Sequence, residues 1–343
     1  MTATSESGRV TDVVRLGDPW GLPSADTVMN AGDDSLAWLA WRRGGLGASD
    51  AAAICGLSPW GTPYSVWLDK TGQLPLEPRA TTRYQRWGLL LEPAVRDAFE
   101  DETGHTVVGI QAWVQNRDRP WLRATLDGLV ASEGAVIGVF EGKTSNGRDG
   151  RWDGGVPDYY LVQVQHQLAA TGLDLGYVAV LLGGADFEVY EVARDESAIR
   201  VVLEQEERFW IHNVQDGHAP DVDSSEETGV ALKAAFAKSE ADKSVELPDG
   251  SAELVEGLRT AKEEVKGAGV RERAAANALM ALLGDAEVGL LAGEPAITWK
   301  TQSSRRIDIQ ALRDSYPEIA QVVLKETSTR VLRLKTNGRN SDG

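Results

Sequence analysis

The apolar positions that organise the chain run from Trp121 to Thr144, WLRATLDGLVASEGAVIGVFEGKT, first mixed with polar residues and then, over Ala135 to Phe140, nearly continuous. They predict two strands, Leu122 to Val130 and Ala135 to Phe140, joined by turn chemistry at Ser132, Glu133 and Gly134. Side chains alternate along a strand, so Ile137, Val139, Glu141 and Lys143 share one face while Val136, Gly138, Phe140 and Gly142 share the other. Downstream, DYYLVQVQHQLAATG predicts a helix with Leu161, Val164 and Leu168 on its apolar stripe. Gln163 lies opposite with Tyr159 and Gln167, a solvated face by default, and Gln165 falls at the stripe's edge. GYVAVLLGG reads as a buried strand, DFEVYEV as its half-buried partner, and ESAIRVVLEQEERFWIHNV as a long amphipathic helix.

Upstream, Gly88 to Thr103 carries Leu91, Val95, Ala98 and Phe99 at helical spacing, with Gly104 placed to end the helix and Glu92 at the boundary of the buried face. Ala51 to Cys55 and Tyr64 to Lys70 predict short helices, the first capped by Ser49 and Asp50, and Trp113 to Val114 predict an outer strand. Helices, a run of strands, a helix, two strands and a helix describe an α/β core, a mixed central β-sheet flanked by helices.

Around this core the pattern weakens. Residues 1–33 show no sustained periodicity and read as an N-terminal arm, so the core is assigned to 34–215. The acidic, turn-rich segment 216–229 reads as a linker. Residues 230–343 read as a C-terminal extension, helical with a small α/β unit. Within it Leu254, Leu258, Ala261 and Val265 are spaced for a long helix or helix pair packing as a coiled coil, with Gly267 and Gly269 as candidate breaks. Pro295 to Gln302, Arg305 to Ile309 and Arg330 to Lys335 read as short strands.

Charge narrows the function. A net charge of −17 is unsuited to coating nucleic acid, so any DNA must bind in a locally basic groove. Arg42 and Arg43; Arg79, Arg83 and Arg86; Arg117, Arg119 and Arg123; and Arg148 and Arg151 are the candidates. One cysteine, Cys55, and four histidines exclude a disulfide framework and argue against a structural zinc site. No apolar run reaches membrane-spanning length and the N-terminus lacks a signal peptide's apolar core, so a cytoplasmic protein is expected. GVFEGKT imitates a phosphate-binding loop, but only three residues separate Gly138 and Gly142 where four are needed, and no nucleotide cofactor is expected.

The remaining chemistry converges on the Trp121 to Thr144 segment. Asp127, Glu141 and Lys143 meeting where a sheet ends offer carboxylates for a divalent metal and a lysine for the attacking water, as phosphodiester hydrolysis requires. Gly142, lacking Cβ, leaves its carbonyl open as a further ligand. A second cluster, the glycine-rich turn after Arg42 leading to Ser49, offers backbone N–H groups, a guanidinium and a hydroxyl as a phosphate seat.

Five blocks in order, WLAWRRGGLGASDAAAICGLSPWGTPYSVWLDKTG, WGLLLEPAVRDAFEDETG, TLDGLV, FEGKT and YYLVQVQHQLAATG, resemble the YqaJ-type viral recombinase family, relatives of phage lambda exonuclease within the PD-(D/E)xK nuclease superfamily. The resemblance covers roughly residues 36 to 213. It implies two Mg²⁺ ions, with Mn²⁺ as a substitute, and 5′ to 3′ digestion of linear duplex DNA ends to leave a 3′ single strand for an annealing protein. By motif it implies Asp127, Glu141, the Gly142 carbonyl and Glu92 as metal ligands, Lys143 as the water-activating residue, Gln163 near the scissile phosphate, and Arg42 and Ser49 on the terminal 5′ phosphate. Thr125 precedes Leu126 and Asp127, where the superfamily name leads one to expect Pro immediately before Asp. The extension has no counterpart in the short exonucleases and is expected to affect homo-oligomerisation or to bind the annealing protein. A structure-selective endonuclease and a non-catalytic DNA-end-binding factor stand as alternatives.

Overall fold

The apolar run from Leu175 to Leu182 has no polar side to turn to water, so it needs cover on both faces. The computed structural model, which describes residues 17–29, 35–77, 82–147, 150–324 and 329–335, shows how that cover is supplied. The chain divides into two compact units after Phe236. In the first, β1 (Ala25–Met29) is followed by α1 (Ser35–Arg43), α2 (Ala48–Ile54), α3 (Pro63–Lys70) and the long α4 (Arg83–Thr103). Five strands come next: β2 (Thr106–Val108), β3 (Ala112–Asn116), β4 (Arg123–Leu126), β5 (Gly128–Ser132) and β6 (Ala135–Ser145). Then α5 (Asp158–Thr171), β7 (Leu175–Leu182), β8 (Asp186–Ala193) and α6 (Glu196–Arg208) lead through a π-helical stretch, Phe209–Gln215, to α7 (Glu226–Ala235).

The main sheet has the order β2-β5-β6-β7-β8. Only β6 and β7 run parallel, as their connection through α5 allows, and the other neighbours are antiparallel. Alternation then sorts the side chains. Val139, Val178 and Val180 pack with Val164 and Leu168 of α5, while Phe140, Tyr177 and Ala179 pack with Val95 and Phe99 of α4. The expected mixed sheet flanked by helices is what the chain forms, and β6 runs through Gly142 to Ser145 as strand, not as a phosphate-binding loop.

Three readings of the sequence change. The segment read as an arm contains β1, which pairs antiparallel with β3, and Leu22, Ala25 and Val28 are buried. Five residues are too few to show a period, and what ties them down is distant in sequence. The Arg117 guanidinium donates to Asp18 and Asp26 and to the carbonyls of Leu22, Pro23 and Ala25. With β4 these strands make a small second sheet, β1-β3-β4, so Trp113 and Val114 lie in its middle strand and are buried.

Secondly, the strand expected over Leu122 to Val130 is two strands, since the chain leaves the small sheet at Asp127 and enters the large one as β5. Gly128 permits the change, because a Cβ there would lie 2.3 Å from Val107 Cγ1 of β2. The turn to β6 is the two-residue kind, with Glu133 and Gly134 both left-handed at φ 50 and 84.

Thirdly, α7 begins inside the segment read as linker. Its Ala231 packs with Leu68 and Leu74, and the Thr62 and Thr228 hydroxyls are hydrogen-bonded at 2.8 Å. The acidic composition of 216–229 hides the buried Thr228, and Ala231 lies just beyond that segment. Arg79 and Arg148, and residues 1–16 and 30–33 of the expected arm, lie outside the described residues.

In the second unit α8 (Ser251–Leu283) is one unbroken helix of 33 residues. Gly267 and Gly269 cost it about 1 kcal/mol each relative to alanine, which its Ala, Glu, Arg and Lys neighbours absorb. A hairpin of β9 (Val288–Leu291) and β10 (Glu294–Thr298) and two short helices, α9 (Ile309–Ser315) and α10 (Pro317–Val323), follow. The strands expected at Arg305 to Ile309 and Arg330 to Lys335 do not form.

Buried polar pairs dock α5 in the first unit. His166 is fully buried, with Nδ1 2.6 Å from Glu206 of α6 and Nε2 donating to the Arg123 carbonyl at 2.8 Å. A carbonyl only accepts, so Nε2 carries a proton and a proton on Nδ1 completes an imidazolium against the carboxylate. Burial alone would lower the His166 pKa, but the Glu206 charge and hydrogen bond outweigh it and raise it. A raised folded pKa contributes stability that is complete below the unfolded value, about 6.5, and is lost as pH rises through the folded one. Urea unfolding of wild type should therefore show stability falling above about pH 6.5, and Glu206→Gln, which can pair with neutral His166, should abolish that component. Parallel pH profiles in the two proteins would contradict the ion pair.

Candidate active site

The centre of the site is Glu141, 2% exposed, on the α5-facing side of β6. Burying a carboxylate requires donors, and three converge on it. Gln163 Nε2 donates at 2.5 Å to one oxygen, Gln167 Nε2 at 2.6 Å to the other, and the Lys143 ammonium pairs with the first. The two amides come from successive turns of α5 and Lys143 from two residues along β6, so both secondary-structure periods meet at one carboxylate. Lys143 also sits 4.5 Å from the ring centroid of Tyr160.

Asp127 stands at the break between the two sheets, its Oδ2 accepting from the Gly142 amide at 3.0 Å. Burial first, then the charge of Glu141, push its carboxyl well above the usual range; Lys143 opposes the rise and Glu92 adds to it. Glu92, on α4, accepts from Gln111 Nε2 at 2.7 Å. Lys143 responds in the opposite sense. Burial disfavours its charge, but Glu141 and Asp127 outweigh that and hold the ammonium above its ordinary range. Mutually repelling carboxylates around one lysine, with hard oxygen donors, fit a divalent cation of the Mg²⁺ class. A Cβ on Gly142 would make only ordinary contacts, at 3.5 Å from Phe140 and Val95, so space alone does not demand glycine there.

Arg42 and Ser49 also meet. The Arg42 guanidinium, 5.4 Å from the Trp38 ring, donates to the Ser49 hydroxyl at 2.5 Å and to Asp50 at 3.1 Å. The expected cradle of glycine amides does not exist, because Gly44, Gly45, Leu46 and Gly47 each donate within the fold, to Trp41, Arg42, Trp121 and Asp50. Gly47 is the N-cap residue of α2; Ser49 lies exposed in the first turn, and Asp50 bonds back to the Gly47 amide. Beneath them Lys70, its side chain fully buried, pairs with Asp50 at 2.7 Å and donates to the Arg42 carbonyl. Burial would raise the Asp50 pKa, but Lys70 and then Arg42 hold it well below the carboxylate range. Asp69 lies 3.9 Å from Lys70 and pairs with Arg43, so three cations face two carboxylates and the cluster is left positive.

Three other basic candidates have structural duties. Arg43 holds Asp69 and the Leu74 carbonyl, Arg117 holds the β1 approach, and Arg123 stacks 5.2 Å from the Trp41 ring. Tyr160 and Lys70 are participants that the sequence reading left out, and Gln167, placed there on an exposed face, is instead fully buried against Glu141. Only the i, i+4 spacing of Gln163 and Gln167 signalled the last of these in advance.

The profile of the YqaJ-like viral recombinase domain matches residues 37–174. A curated relative, the uncharacterized protein YqaJ of Bacillus subtilis (strain 168), is 34% identical over 303 residues, 87% of this chain and 93% of the relative. The chain belongs to the YqaJ-like viral recombinase family. Its part-chain likeness to solved structures is weaker. LHK-Exo in complex with dAMP is 19% identical at a TM-score of 0.43, covering 59% of this chain and 98% of that one. A further structure of LHK-Exo, an alkaline exonuclease from Laribacter hongkongensis, scores 0.42 at 18% identity with the same coverage. A phage related exonuclease from Haemophilus somnus 129PT is 13% identical at 0.37, covering 50% of this chain and 94% of that one.

In this family member the Lys70–Asp50 pair can be tested directly. Removing Lys70 leaves the buried Asp50 with only the partly exposed Arg42 against it, and breaking a buried pair costs about 3–5 kcal/mol. Lys70→Met should lose that much in chemical denaturation, and Lys70→Met/Asp50→Asn should recover most of it. A single variant as stable as wild type would contradict the assignment.

Proposed function

We propose that this chain is a metal-dependent, ATP-independent DNA exonuclease that digests linear duplex DNA from its ends, 5′ to 3′, and leaves 3′ single strands for recombination by annealing. The observation that supports this most is the buried Glu141 carboxylate, fastened by Gln163 and Gln167 beside Lys143 and within the field of Asp127. Membership of a viral recombinase family adds DNA as the substrate class.

In this reading Asp127, Glu141, Glu92 and the Gly142 carbonyl hold two Mg²⁺, which when bound supply charge neutralisation for the attacking and leaving oxygens. Gln163 and Gln167 fix both oxygens of Glu141 so that its direction does not depend on solvent. Lys143, held protonated at rest, orients the attacking water and steadies negative charge on the phosphate. Arg42 and Ser49 take the terminal 5′ phosphate, the Arg42 charge left in excess over the buried Lys70–Asp50 pair beneath it. Because these donors sit on helices α1 and α2, the end of the DNA is measured from a fixed point.

The proposed enzyme works as a homo-oligomer, with a single-strand annealing protein as partner, in the cytoplasm of a phage-infected cell. Among the described residues no helix is long and apolar enough to cross a membrane.

The experiment follows linear 5′-phosphorylated duplex and closed circular duplex in Mg²⁺ without ATP, with end labels to report direction. Linear DNA should shorten from its 5′ ends while the circle survives. Lys143→Ala should slow the reaction at least about 100-fold, the lower range for a group acting in proton transfer or charge stabilisation. Cleavage of the circle would instead support an endonuclease, and folded wild type that cleaves neither would leave a DNA-end-binding factor.

A further inference from the structure

The end of α6 carries a cluster that the nuclease reading does not use. Between Phe209 and Gln215 the helix widens to the π form, a geometry that recurs at functional sites. Phe209 is buried, and Trp67 Nε1 donates to the Asn213 carbonyl at 3.0 Å, so the widened turn is anchored to the core. His212 lies on it, and Asp216, four residues on, caps its end. Gly217 then takes a left-handed φ of 79, open to residues without Cβ, and sends the chain back.

That reversal brings His218 onto His212. Their rings are parallel within 9° with centroids 4.4 Å apart. The His218 backbone is held from both sides, its amide donating to the His212 carbonyl at 3.3 Å and its carbonyl accepting from Asn213 Nδ2 at 2.7 Å. His218 Nδ1 faces the same His212 carbonyl at 3.2 Å. Since a carbonyl only accepts, Nδ1 carries the proton and Nε2 presents its lone pair outward, the orientation that an outer hydrogen bond gives to metal-ligating imidazoles. One ligand atom from each of His212, Asp216 and His218 lies within 4.8 Å of the others. Ligands of a tetrahedral ion stand about 3.3 Å apart, from metal–nitrogen bonds of about 2.0–2.1 Å. All three side chains are exposed, so rotation about their χ angles can close that gap.

We propose that His212, Asp216 and His218 form a second metal site, for a borderline transition-metal ion such as Zn²⁺, Co²⁺ or Ni²⁺, with solvent completing the coordination. Two imidazoles select such ions over Mg²⁺, which distinguishes the site by chemistry from the oxygen-rich cluster around Asp127. Bound there, the ion pins the end of α6 to the connection that leads to α7, and stabilises the fold by mass action. The four-histidine count that argued against zinc overlooked that two of the four stand in one H-x-x-x-D-x-H run.

The test titrates Co²⁺ into tag-free full-length protein in excess Mg²⁺, reading calorimetric stoichiometry and the visible ligand-field band. Wild type and Asp127→Asn should each bind one Mg²⁺-resistant Co²⁺, and His212→Ala/His218→Ala should lose both that equivalent and its band. The double variant should keep the wild-type circular dichroism, since both side chains are exposed. Absence of Mg²⁺-resistant binding in wild type, or an unchanged stoichiometry and band in the folded double variant, would overturn the proposal.

Discussion

A carboxylate placed in the interior constrains everything near it, and in this fold that carboxylate is Glu141. It cannot remain charged there without donors, and those donors must come from elements that are themselves fixed. Two arrive from α5 and one from β6, so the crossover that lets β6 and β7 run parallel also aims the amides. A shift of α5 by one residue would turn Gln163 and Gln167 away together. The packing of Val164 and Leu168 on the sheet therefore also sets the register of the site.

Helix α5 repeats this arrangement along its length. Gln165 donates to the Ala193 carbonyl and accepts from the Asp195 amide, which fixes the step from β8 to α6. His166 bridges Glu206 of α6 and the Arg123 carbonyl of β4. From Gln163 to Gln167, four of the five side chains bond to three different surroundings, and Val164 supplies the apolar contact. This density of buried polar contacts, which leaves Gln167 Oε1 and Glu206 Oε2 without partners among the described residues, trades some stability for a single geometry, as a site that must hold charge in place requires.

Much of the main sheet was legible because its signals are local. The apolar run of β7, the half-buried alternation of β8 and the helical spacing of α4 need only their own residues to be read. The same locality put Glu141 and Lys143 on one strand face. What escaped is non-local. Strand β1 is held by Arg117, some ninety residues away, and its five residues show no period of their own. The apolar pattern passes through Asp127 without pause, so the change of sheet there could not be seen. Gln167 reads as helix surface until the sheet that covers it is known. The glycine amides near Arg42 looked free for an anion, yet the fold uses them.

The central claim is that Asp127 and Glu141 together hold a divalent cation. Mn²⁺ binding, followed by the electron paramagnetic resonance of the free ion, measures it without any DNA. The account predicts that Asp127→Asn and Glu141→Gln each weaken binding by at least about tenfold, the lower range for losing even an outer partner of a metal site. Affinity and stoichiometry equal to wild type in both folded variants would contradict it.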